Sequence, residues 1–123
     1  MVVLFRLLYR CAALLAIAAG GLVIASFLIH DRPPQTPDML GVHLVVGAVF
    51  PGEGALLFGI QRHVGRLTAL AHSADGETMR ELAGHLNRLL AYLVAGGVFL
   101  CAVLGAMTVA ILGRIDQGFA VFG

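Results

Sequence analysis

Charge is what this chain has least of. Only 12% of its 123 residues are charged, against 59% that are hydrophobic. A water-soluble domain carries about 25% charged residues, so this chain has too few to cover a surface that faces water. Lysine is absent, and all eight basic residues are arginine. The net charge of +1 excludes the strongly basic face that a nucleic-acid partner requires. Tryptophan is absent and tyrosine occurs twice, which leaves little for an aromatic belt. The two cysteines, Cys11 and Cys101, sit inside apolar runs and read as small core residues, not as a disulfide or a metal pair. No catalytic constellation stands out, so catalytic residues, enzymatic activity and a cofactor are not expected.

What the chain has is apolar length. Three runs cover residues 11–29, 39–60 and 89–113, and the only charge inside any of them is Glu53. About 20 apolar residues cross a bilayer as a helix, and lipid offers no partner for a free backbone amide. The expected fold is all-α: an integral membrane protein, 1–123 as a single membrane domain, with three transmembrane helices and the bilayer as its first partner. The first run exceeds the usual 7–15 residues of a signal-peptide core, so it is expected to stay as a span. An all-Arg, Ala- and Gly-rich composition suggests a bacterial source.

Loop charge orients the spans. Arg6, Arg10, Arg62, Arg66, Arg80 and Arg88 fall on one side, and only Arg32 and Arg114 on the other. The first side is expected to be cytoplasmic, which puts the N-terminus inside and the C-terminus outside the cytoplasmic membrane. Tyr9 and Tyr92 then lie near the inner interface, and Phe119 and Phe122 near the outer one. Residues 61–88 are polar but keep a helical period, which predicts that helices two and three extend into a cytoplasmic helical hairpin. Ser73 or Asp75 is the expected cap of the third helix. Antiparallel pairing about this turn would bring Arg66 near Glu81, as an ion pair or as two members of a solvated face.

Helices in lipid associate through small residues. Gly41, Val45, Ala48, Gly52, Ala55 and Gly59 form one such face, Ala12, Ala16 and Gly20 a second, and Gly97, Cys101 and Gly105 a third, with Gly96 next to Gly97 and Ala102, Ala106 and Ala110 beside the face. They would join the spans to one another, to other membrane subunits or to a second copy.

The stretch Pro51, Gly52, Glu53, Gly54 interrupts the second run. Pro51 removes one helical hydrogen bond, which predicts a kink, or a break that leaves 39–50 as a re-entrant segment. Counting along each helix from Arg10, Gln61 and Arg88 puts this stretch level with the Gly20–Gly21 and Gly96–Gly97 pairs. Glu53 would lie about 12 Å from the inner edge, at about 1.5 Å per residue. There a carboxylate needs a partner, water or a proton. Tyr92, Arg62 and Arg88 are the residues able to supply one. Two functions follow: a non-catalytic accessory or scaffolding subunit with a structural acid, or a small oligomeric transporter or channel moving a proton or cation on Glu53. A haem or copper anchor at His30, Met39 and His43 is the remotest reading, because no histidine lies deep in a span.

Overall fold

The computed structural model of the chain describes residues 1–29, 38–73 and 76–122, by backbone alone at 38, 39 and 77–79. It is all-helical: α1 is Val2–Ile29, α2 is Asp38–Ser73 and α3 is Glu77–Asp116. Each is long and apolar enough to span a membrane, and each outruns the apolar run within it. In α2 the polar extension is made compatible with burial by local bonding. The buried Thr68 hydroxyl donates to the Val64 carbonyl at 2.7 Å, which satisfies the group inside its own helix.

α2 runs unbroken through residues 51–54, with Pro51 inside it. The break considered from the sequence does not occur, and no re-entrant segment precedes it. The cap of α3 also differs from expectation. The Ser73 hydroxyl donates back to the Leu70 carbonyl at 3.0 Å. Gly76 is the N-cap, at φ 134°, ψ 154° and without a side-chain cap bond, a conformation that is essentially glycine's alone. Asp75 lies outside the described residues.

α1 is the central helix. It packs against both α2 and α3, while α2 and α3 meet only marginally. Of the most apolar stretch of each helix, 39% is buried in α1, against 22% in α2 and 17% in α3. Directions follow from side-chain neighbours. Arg6 of α1 lies over Gly65 of α2, and Gly20 over Gly47, so α1 and α2 are antiparallel. Gly97 meets Leu8 and Tyr9 and Val121 meets Ser26, so α1 and α3 are parallel. α3 offers Leu90, Gly97, Leu104 and Ile111 as buried residues seven apart, the spacing of a continuous packing seam.

Candidate functional site

Three places carry the chemistry of this chain: the seam around Pro51, an arginine cleft near the start of α1, and a histidine at the opposite end.

The seam is built by glycines. A Cβ added to Gly20 would lie 2.6 Å from Pro51 Cδ and 2.8 Å from the Gly47 carbonyl oxygen. That carbonyl is the acceptor Pro51 leaves without an N–H. The two backbones come this close only because residue 20 has no side chain. Gly54 repeats the arrangement, its Cβ position falling 2.9 Å from the Ala13 carbonyl oxygen. The α2 residues buried here are His43, Gly47, Phe50, Gly54 and Leu57. On α1, Ala12, Ala16 and Gly20 are buried.

The α2 stripe anticipated from the sequence points elsewhere. Gly41, Ala48, Gly52 and Ala55 are exposed and Gly59 half-buried, and nothing lies within 4 Å of a Cβ on Gly41, Gly52 or Gly59. It is displaced by two residues from the buried set, about 200° around the helix at about 100° per residue. On α3, Gly97 is buried against the Tyr9 ring, whereas Gly96 is exposed and Gly105 half-buried with open space beside it.

Glu53 is exposed on the flank of the outward face. Among the described residues no hydrogen bond or ion pair joins it to Tyr92, Arg62 or Arg88. Arg62 is nine residues away on the same helix, on the order of 14 Å along it, and for Tyr92 and Arg88 the reason is axial register. Gly54 sits level with residues 13–17 of α1, but Gly97 sits level with residues 8 and 9. The level counting from Arg88 therefore misplaces α3, whose glycine pair does not face residues 51–54. Tyr92 lies roughly ten residues further along, on the order of 15 Å from the level of Glu53, and Arg88 beyond it. Arg66 and Glu81 are both exposed, and no ion pair joins them among the described residues.

The arginine cleft lies between the first part of α1 and the last part of α2. It measures about 520 Å³ and is lined by Arg6, Arg10, Arg62 and Arg66 with Phe58, Gln61, Gly65 and Ala69. The Arg6 guanidinium crosses Gly65, its Nη2 3.2 Å from where a Cβ would be. A smaller cleft on its other side is lined by Val2, Arg6, Thr68 and His72 among others.

At the opposite end His43 is only 1% exposed. Its ring lies between Phe27, at 5.1 Å between centroids, and Phe122, at 5.2 Å edge-on. The Phe122 amide donates to His43 Nε2 at 3.3 Å. The Val121 amide donates to Ser26 Oγ at 3.3 Å, and that hydroxyl donates to the Val23 carbonyl at 2.8 Å. The Arg114 guanidinium lies over the Phe119 ring at 5.0 Å. The segment after α3 thus folds back over the ends of α1 and α2. Of the two ring nitrogens of His43, Nε2 is engaged by the Phe122 amide. His30 and the Met39 side chain lie outside the described residues. No local pattern marked this cluster, because Phe122 lies 79 residues from His43 and Val121 lies 95 from Ser26. Comparison with known proteins finds no matching family model, no similar curated protein and no matching solved structure.

Proposed function

We propose that this chain is a polytopic protein of the bacterial cytoplasmic membrane, N-terminus inside, and a non-catalytic accessory or scaffolding subunit of a larger membrane assembly. One observation carries the reading. The glycine and alanine face of α2 is turned away from α1, and among the described residues nothing lies within 4 Å of a Cβ placed on Gly41, Gly52 or Gly59. Small residues in lipid gain by letting another helix approach, and α1 has already taken the other side of α2. The extensions of α2 and α3 past their apolar runs form the cytoplasmic hairpin of this reading.

The test is site-specific photo-crosslinking in native membranes. A crosslinker at Ala48 or Ala55 should capture one defined protein species, and a crosslinker at Leu28 on α1, a large residue 76% exposed, should not. Adducts to lipid alone from all three positions would sink the reading. An adduct of the chain with itself from Ala48 would favour the alternative, an oligomer carrying a proton or cation on Glu53. The exposure of Glu53 without a partner among the described residues speaks for that alternative.

A further inference from the structure

Four guanidinium groups in one concavity repel each other, and among the described residues no carboxylate lines the cleft that holds them. The chain has seven acidic residues, so this segregation is not forced by composition. An anion that accepts several of these donors would relieve the repulsion. Guanidinium is matched in shape to phosphate, which it binds through two parallel hydrogen bonds.

The position of the cleft narrows the choice of anion. On α1 the charged residues end at Arg10, and nineteen uncharged residues follow at 11–29. On α2 the apolar run ends at Ile60, and Gln61 and Arg62 follow. The α2 wall therefore changes from apolar to polar at the cleft, while on α1 the two arginines are set among exposed apolar side chains, Leu4 and Leu7 on one side and Leu14 on the other. Its lining changes likewise, from Phe58 on one side to Arg66 and Ala69 on the other. Exposed apolar side chains continue beyond it on both helices, Leu14 and Ile17 on α1 and Leu56 on α2. A ligand filling this place bears phosphate at one end and hydrocarbon at the other.

The geometry points to a binding site for the headgroup of an anionic phospholipid, best matched by one with two phosphodiesters, since four guanidiniums come from two facing helices. Basic pockets between spanning helices on the cytoplasmic side are suited to such headgroups. Arg6 is the residue that shapes the site. Its side chain lies across Gly65, which divides the main cleft from the smaller one beside it. The inference rests on the membrane reading above.

The experiment uses the full chain in a mild detergent and reads retained lipid by native mass spectrometry. The probe is diphosphatidylglycerol titrated against excess phosphatidylcholine. The parent should keep one diphosphatidylglycerol per chain. R6Q/R66Q should bind it at least tenfold more weakly, while R80Q/R88Q, with the same change of charge on α3, should match the parent. Gly65→Leu removes no charge but displaces the Arg6 guanidinium, and should weaken retention several-fold. A melting temperature of the helical signal in detergent equal to the parent's establishes that each variant keeps its packing. Equal losses in the two double variants, with no effect of Gly65→Leu, would reduce the effect to diffuse surface charge and overturn the site. Displacement of the lipid by inorganic phosphate or pyrophosphate at equal concentration would identify a free-anion site and overturn the lipid. Carbonate extraction separates this from the premise. Release of the chain from membranes refutes the membrane reading, whereas a chain that stays inserted but retains no lipid refutes only the site.

Discussion

Gly20 and Gly21 are neighbours in sequence and opposites in what a methyl group would meet. At Gly20 it would collide with the Pro51 ring and the Gly47 carbonyl at 2.6 and 2.8 Å, while at Gly21 nothing lies within 4 Å. Backbone cannot move aside as a flexible side chain can, so Gly20→Ala must push two helices apart. Overpacking of this kind costs about 1–3 kcal/mol. Gly21→Ala should instead be neutral, or gain up to about 1 kcal/mol of helix propensity. Unfolding in mixed micelles of the two variants measures the difference, and equal stabilities would contradict the seam. At Glu53 the comparison is between charge and shape. Glu53→Gln should remain folded and at least as stable in detergent as the parent, because an amide is less costly than a carboxylate away from water. Reconstituted vesicles then decide between the functions. A proton or cation flux present in the parent and abolished in Glu53→Gln would establish the transporter against the accessory subunit.

At the scale of elements, the segment following α3 holds two other helices. Its amides bond Ser26 on α1 and His43 on α2, and the Phe122 ring covers the His43 ring edge-on. Deleting residues 119–123 would leave a buried hydroxyl and a buried imidazole without these donors, and expose the ring. The loss should be about 1–3 kcal/mol, read as a lower melting temperature of the helical signal in detergent. Helix content itself should stay near the parent's, because α1–α3 make their own backbone bonds. Replacing Phe122 alone by Ala keeps its amide and should cost less than the deletion. An unchanged melting temperature in the deletion would mean that this end is held by α1 and α2 without the tail.

The three helices of the described residues alternate in direction, with α2 antiparallel and α3 parallel to α1. Met1 and Phe122 therefore lie at opposite ends. On the membrane reading, cysteines at Ser73 and Gln117, both exposed, should differ in intact cells lacking the native thiols. Gln117→Cys should react with an impermeant reagent, and Ser73→Cys only after permeabilisation. The reverse pattern would invert the orientation and move the arginine cleft to the outer side. The three helices were legible in the sequence because uninterrupted apolar length is a local property, and so was the continuation of α2 and α3 past it, from their helical period. The packing side of α2 was not. Two small-residue series run along this helix, one through Gly41, Ala48 and Ala55 and the other through Gly47 and Gly54, and composition cannot choose between them.

The amino-acid sequence by itself determined that there are three long apolar helices, that α2 and α3 continue past their apolar runs, and at which end of the runs the arginines gather. Each of these depends on neighbours within a few turns of one chain segment. The tertiary structure alone decided that α1 lies between the other two. It set α3 so that Gly97 receives the Tyr9 ring, away from Glu53, and it chose Gly47 and Gly54 as the glycines of the seam. It also brought Arg6 and Arg10 to Arg62 and Arg66 across more than 50 residues of chain, and Phe122 to His43. These outcomes depend on axial register and rotation between helices. Register and rotation are set by which side chain finds a glycine opposite it, and pairings of that kind leave no mark on the local pattern of either partner.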